Sequence, residues 1–220
     1  MKEIEAKFLD IDINDIRKKI KLNGGKKIHK MMLYKRYVFD LLNYDTNKGF
    51  VRIRQENNKI TITSKTYTND SKYANENEIV ISSSLEEAKD FLLTLGFKLK
   101  HYHETIREKW SLGDCHEIAI DIIPGIPSYI ELECKNENAI KKIAKILGLD
   151  ISKAEYGSYS KQYIDYYDMK KEDIDKIIPS LTFKNIDKEL KNYIKKNSDL
   201  LKEVKKQQLE IINKNKIKMK

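Results

Sequence analysis

Glu3-Ile4-Glu5-Ala6-Lys7-Phe8 alternates strictly between ionised and apolar side chains. In a β-strand, residues two apart share a face, so Glu3, Glu5 and Lys7 point one way and Ile4, Ala6 and Phe8 the other. The alternation recurs downstream. Gly49–Gln55 sets Arg52 and Arg54 opposite Val51 and Ile53, and Ile60–Lys65 sets Thr61, Thr63 and Lys65 opposite Ile60 and Ile62. Glu76 and Glu78 precede Ile79–Ile81; Thr105, Arg107 and Lys109 alternate with Ile106; Glu131, Glu133 and Lys135 alternate with Ile130, Leu132 and Cys134. An ordinary wet sheet face mixes hydroxyls and amides among its charges. These faces are nearly pure, acidic on some strands and basic on others. Closed into a barrel with the charges inside, such strands put carboxylates near guanidiniums and leave their apolar faces for helices to cover.

The 220 residues carry 43 Lys+Arg against 34 Asp+Glu, a net charge of +9. Twelve lysines against five acids in residues 184–220 account for +7 of it, so the remainder is nearly neutral. The length suits one substantial domain with an appendage. Three prolines and eight glycines leave no flexible linker to mark a boundary. The change of pattern does so instead, and we expect a domain over 1–167 and a lysine-rich helical extension over 168–220. Within the first, helices are expected at Asn14–Leu22, Ser84–Leu95 (Ser84 as N-cap, Glu87 three residues on) and Asn138–Leu147, each stopped by a glycine, in a loosely βαβ-like rhythm. No apolar run approaches the roughly 18 residues needed to span a bilayer, and no charged stretch leads into an apolar one as in a secretory signal. No membrane partner and a cytoplasmic location are expected. Cys115 and Cys134 lack partners at metal-ligand spacing and are expected as reduced thiols.

Clustered carboxylates supply the oxygen ligands that a hard divalent ion such as Mg²⁺ or Mn²⁺ takes, together with waters and a substrate phosphate. Arginine binds phosphate through two parallel N–H donors and lysine as a point charge. Both sets in one cavity suit a triphosphate, whose several charges need neutralising before attack at phosphorus. No phosphate-cradling glycine loop competes for that role.

Glu3-Ile4-Glu5-Ala6-Lys7, Arg52-Ile53-Arg54, Lys65, Glu76-Asn77-Glu78, Arg107 before Trp110, Asp121 and Glu131-Leu132-Glu133, in that order across residues 1–167, resemble the CYTH superfamily of triphosphate tunnel metalloenzymes. That family includes class IV adenylate cyclases, thiamine triphosphatases and inorganic triphosphatases. The resemblance implies an α+β fold, an eight-stranded antiparallel β-barrel forming a tunnel and flanked by helices, here with a C-terminal helical tail. It also implies metal ligation by Glu3, Glu5, Glu131 and Glu133, with Glu78 and Glu76 next, and phosphate binding by Lys7, Arg52, Arg54, Lys65 and Arg107. Lys109 and Arg36 join the basic lining, and Asp121 resembles an acid that holds a tunnel base in place. Glu5, Lys7 and Arg54 are the expected catalytic residues. This chain departs from the family pattern at Thr105, where many members carry lysine, and at Ala74, where many carry arginine; Lys109 and Lys72 are placed to restore the charge.

The expected activity is metal-dependent hydrolysis of an inorganic, nucleoside or thiamine triphosphate. The alternative is a cyclase converting ATP to cyclic AMP and pyrophosphate in the same tunnel. A third reading is binding without turnover, of a nucleotide or an RNA 5′-triphosphate end. Trp110, Tyr34, Tyr37 and Phe39 read first as core and second as ring-stacking residues. His29, His101, His103 and His116 read as surface or structural, and Gly157-Ser158-Tyr159 as a structural closing segment. In the tail, Ile186, Leu190, Ile194, Leu200, Leu201, Val204, Leu209 and Ile212 recur every three to four residues, the mark of one or two amphipathic helices. They are expected to pack on the barrel, with a homodimer contact as the alternative, and residues 213–220 to fray.

Overall fold

The structure is a computed structural model that describes residues 4–42, 48–68, 73–157, 159–174 and 178–219. Eight strands run antiparallel: β1 (Glu5–Phe8), β2 (Lys26–Phe39), β3 (Gly49–Glu56), β4 (Lys59–Thr66), β5 (Asn75–Ile81), β6 (Leu99–Leu112), β7 (Cys115–Ile122) and β8 (Tyr129–Cys134). Their order is β1-β8-β7-β6-β2-β3-β4-β5, so β1 and β5 end the path and the sheet curls into a half-barrel. The βαβ rhythm seen in sequence does not produce parallel pairing: every pairing among these eight strands is antiparallel. A short β9 (Ser180–Leu181), contributed by the C-terminal extension, pairs parallel with β6 at Tyr102 and His103.

The helices fall close to their expected positions because their ends are written locally. In α1 (Ile13–Leu22), the Asp12 side chain accepts from the backbone N–H groups of Asn14 and Asp15 at 2.8 and 3.1 Å. Ser84 and Glu87 close a reciprocal capping box on α2 (Leu85–Thr94). In α3 (Glu137–Leu147), Asn136 caps the start and Gly148 ends the helix at φ 72°, a left-handed conformation that costs glycine little. Helices α1 and α3 cover the apolar face of β1, β8, β7 and β6, where Ile20, Ile118, Ile120, Ile130, Leu132 and Leu147 are fully buried. The second helix covers β3 and β4 through Leu85, Ala88 and Leu92 against Val51, Ile53 and Ile60. Each large aliphatic side chain buried this way contributes about 1.5–3 kcal/mol, and together they leave the ionised faces turned to the lumen.

The extension packs on the domain. After α4 (Ser160–Tyr167) come α5 (Ile186–Leu190) and α6 (Ser198–Lys214). They enclose the β7–β8 turn: Gln208 of α6, buried, donates to the carbonyls of Ile123 and Ile126 at 2.7 and 2.9 Å and accepts from the Gly125 N–H at 3.1 Å. Tyr163 and Tyr167 donate to the carbonyls of Pro124 and Gly125. Gly125 sits at φ +73°, and a side chain there would meet Leu201 and Ile186. Of the expected apolar stripe, Leu209 stays largely exposed. Residues 215–219 are held by contacts, since the Ile217 N–H donates to the Ile212 carbonyl and Ile217 and Met219 pack on the core, while Lys220 lies outside the described residues.

Cys115 and Cys134, expected as free thiols, are joined in a disulfide. They stand opposite each other in the β7–β8 ladder with Cα atoms 3.8 Å apart, a proximity set by strand register that residue spacing does not disclose.

Candidate functional site

The pleat of the curled sheet turns alternate residues inward, and the register fixes which ones meet. On β1 and β8, Lys7 stands opposite Glu131, and Glu5 opposite Glu133. On β6 and β7, Arg107 stands opposite Asp121. On β2 and β3, Arg36 faces Arg54 and Val38 faces Arg52. On β4 and β5, Thr63 pairs with Glu78 and Lys65 with Glu76. These residues border a cavity of about 880 Å³. Of the residues expected to form the site, Glu5, Glu76, Glu78, Glu131, Glu133, Lys7, Arg36, Arg52, Arg54, Lys65, Arg107 and Lys109 all line it. Asp121 lies fully buried beneath it, and Glu3 lies outside the described residues, as do Lys72 and Ser158.

Two kinds of base line the lumen. Arg107 and Lys7 are bound into carboxylates. Arg107 donates Nε and Nη2 to the two Asp121 oxygens at 2.7 and 2.5 Å, and contacts Glu117 and Glu131, each at 2.9 Å. Lys7 Nζ lies 2.8 Å from Glu131 Oε1 and 3.5 Å from Glu5 Oε1, and donates to the Gly157 carbonyl at 2.6 Å. Burial alone would lower both pKa values, but Asp121 and Glu131 hold Arg107 well above its usual range, and Glu131 and Glu5 do the same for Lys7. Burial likewise pushes Glu131 up, and Lys7 and Arg107 outweigh it and hold its carboxyl well down.

Arg36 and Arg52 are the other kind. Burial and the neighbouring Arg107 and Arg54 lower Arg36 to about 10; burial and Arg54 lower Arg52 to about 10 despite Glu76 and Glu78. The Nε atoms of Arg36, Arg52 and Arg54 are buried without a hydrogen-bond partner among the described residues. Arg52 lies 3.5 and 3.6 Å from Glu76 and Glu78 and Arg54 pairs with Glu56 and Glu78, whereas Arg36 has no ion pair among the described residues. A base whose pKa falls on folding costs stability wherever it stays protonated, here fully below about pH 10. Arg52→Met is accordingly expected to raise the melting temperature, by about 2–4 °C for each kcal/mol recovered. A calorimetric melt checks this, and a variant that melts lower than the wild type contradicts the argument.

Among the described residues, no three Asp, Glu, His or Cys side chains gather into a metal cage. Glu5 and Glu133 nonetheless face each other across β1 and β8 beside Glu131. A Mg²⁺-type ion keeps most of its waters and takes one or two carboxylates plus substrate phosphate, so this oxygen pair fits such an ion without a full protein cage.

Sequence reasoning missed Glu117, which lines the cavity and pairs with Arg107 and Lys109, and Glu56, which pairs with the lining residues Arg54 and Lys109. Both continue an inward alternation already visible, Arg52-x-Arg54-x-Glu56 on β3 and Glu117-x-x-x-Asp121 on β7. The same period along β6 carries His101 and His103 inward, and both line the cavity with His116, whereas His29 bonds the Tyr34 hydroxyl. Thr105, at the position where lysine was expected, instead takes a hydrogen bond from Arg36. Trp110, Tyr34 and Phe39 are core residues, and Tyr37 donates to Glu86 on the outside, so none of them borders the cavity. Tyr159 reaches it and bonds His103.

The CYTH domain model matches residues 1–164. No curated protein matches the chain. Among solved structures, the PH1012 protein of Pyrococcus horikoshii is 22% identical, covering 73% of this chain and 98% of its own, with a TM-score of 0.61. A Vibrio parahaemolyticus protein described as a candidate adenylate cyclase is 16% identical over 73% and 97%, TM-score 0.60. A Hippeastrum protein described as a candidate adenylyl cyclase with a dominant triphosphatase activity is 15% identical over 74% and 94%, TM-score 0.51. At these identities the likeness shows the fold.

Proposed function

The chain belongs to the CYTH family, whose members are metal-dependent enzymes acting on triphosphates, and from there we propose that it hydrolyses a triphosphate in the lumen. The observation that supports this most is the split lining. Arg36, with no ion pair among the described residues, stands beside Arg54 and near Arg52 on one side, and Glu5 and Glu133 face each other on the other. An anion several charges long can reach both, the first directly and the second through a cation.

In this reading Arg36, Arg52, Arg54 and Lys65 bind the phosphate chain. Lys7 and Arg107, held by Glu131 and Asp121, stay protonated and fixed, so their donors need no rearrangement as negative charge builds up on the transferred phosphoryl group. Mg²⁺ or Mn²⁺ held by Glu5 and Glu133, with Glu76 and Glu78 nearby on β5, would neutralise phosphate oxygens when bound. The buried lining positions the chain for attack by water at the terminal phosphorus. The cyclase alternative uses the same lining, with the ribose 3′-hydroxyl attacking the α-phosphorus.

Incubating the protein with tripolyphosphate, ATP and thiamine triphosphate in Mg²⁺ or Mn²⁺, with products separated by chromatography, tests the proposal. Orthophosphate is the expected product; cyclic AMP with pyrophosphate from ATP would replace hydrolysis by cyclisation.

A further inference from the structure

The corner where α1 turns into β2 gathers charge of one sign. Between Asp15 and Asp40 the chain carries no Asp or Glu, and residues 17–30 alone hold six lysines and one arginine. The corner is tightly folded. The Gly25 and Gly24 N–H groups donate to the carbonyls of Ile20 and Lys21 at 2.9 and 3.1 Å. Lys21 of α1 and Lys27 of β2 both lie over the buried Trp110 ring, with Nζ 6.0 and 4.7 Å from its centroid. Arg17 and Lys27 are taken up by Glu108, which is buried on the outside of the barrel, and Lys19 by Asp15 and the Leu147 carbonyl. Lys18, Lys21, Lys26 and Lys30 stay exposed, and none of them forms an ion pair among the described residues.

Two aliphatic side chains project among these lysines. Leu22 is 73% exposed, more than any other large apolar residue described, and Ile28 is 54% exposed. On α1, Lys18, Lys21 and Leu22 stand three and four residues apart and share one stripe, opposite the buried Ile16 and Ile20.

That composition separates two kinds of polyanion. A nucleic acid is held by arginine forks and by exposed aromatic faces on which bases stack, but here Arg17 is spent on Glu108 and Trp110 lies buried beneath lysines. An anionic bilayer surface instead suits a cluster of lysines with aliphatic side chains that reach past them to the acyl boundary. No helix among the described residues is long and apolar enough to cross a membrane, which concerns spanning and not adsorption.

We propose that the α1–β2 corner docks the protein on a lipid surface rich in anionic headgroups. Lys18, Lys21, Lys26 and Lys30 lie against the headgroups, and Leu22 and Ile28 enter between them. The expectation of no membrane partner then holds for spanning alone, and the docking face is independent of the lumen and its chemistry.

Sedimentation of the full chain with vesicles, of phosphatidylcholine alone or mixed with phosphatidylserine, tests this, with a single-stranded RNA as the competing polyanion. Binding is expected to the mixed vesicles only, and to weaken as salt is raised. A lysine near such a surface is worth about fivefold in partitioning, so Lys18→Gln combined with Lys26→Gln is expected to lower binding roughly 20- to 30-fold. Leu22→Gln is expected to lower it about tenfold. Lys195→Gln combined with Lys196→Gln, which removes two exposed lysines of the C-terminal extension, is expected to change it little. All four positions and Leu22 are exposed, so the circular dichroism of every variant should match the wild type. Equal binding to neutral vesicles, RNA bound in place of vesicles, no loss in Leu22→Gln, or an equal loss in the extension variant would each overturn the proposal.

Discussion

Arg54→Ala is expected to reduce phosphate release about 10²–10³-fold, the usual loss when one preorganised donor to developing charge is removed, and Glu5→Gln, which takes away a carboxylate proposed to hold the ion, is expected to abolish it, both with the far-ultraviolet circular dichroism unchanged. Arg54 is buried in the lumen, 2.7 Å from Glu56 and 3.1 Å from Glu78, and stands across from Arg36. Removing it takes away one of the arginines on the anion side and leaves the apolar layer beneath β3 untouched. Glu5→Gln keeps the side chain's size but removes the charge that faces Glu133 and pairs with Lys7 and Lys65. Near-normal turnover by either variant, with metal present, would move the chemistry out of the lumen.

Asp121→Asn is expected to strike stability as hard as activity. Asp121 is completely buried and takes both Nε and Nη2 of Arg107. Breaking a buried ion pair by removing one partner costs about 3–5 kcal/mol, because the remaining charge keeps its desolvation penalty. For a chain of this size that corresponds to a melting temperature lower by on the order of 10 °C. Arg107 keeps Glu117 and Glu131, which places the expected loss toward the lower part of the range. It would also swing away from the position Asp121 sets, so turnover falls even where the variant remains folded. A melting curve within a degree or two of the wild type would show that Arg107 is held by its other partners.

Sequence carries this fold to the extent that its signals are local. Strict alternation exposes the inward charges of β1, β3 and β8, and Ser84 with Glu87 marks where a helix begins, because caps and pleats act within a few residues; the caps Asp12 and Asn136 emerge only in the structure. The β7 lining was less visible: Ala119 sits between Glu117 and Asp121, breaking the run of charge exactly where the register sets it against Glu131. The disulfide, the clamp of Gln208 on the β7–β8 turn and the stacking of His101 on His103 all depend on which strands and helices meet, and residue type alone does not report that. The same holds for the two classes of arginine. Arg107 and Arg52 look alike in sequence, and only the packing separates a base held by carboxylates at 2.5–2.9 Å from one whose carboxylates lie at 3.5 and 3.6 Å beside a second arginine.

The most direct measurement is a crystal structure of the protein with tripolyphosphate and Mg²⁺. The account predicts the phosphate chain inside the half-barrel, within hydrogen-bond distance of Arg36, Arg52 and Arg54, with the ion between it and Glu5 and Glu133. Tripolyphosphate bound instead among the lysines of the C-terminal extension, with the lumen empty at saturating ligand, would contradict it.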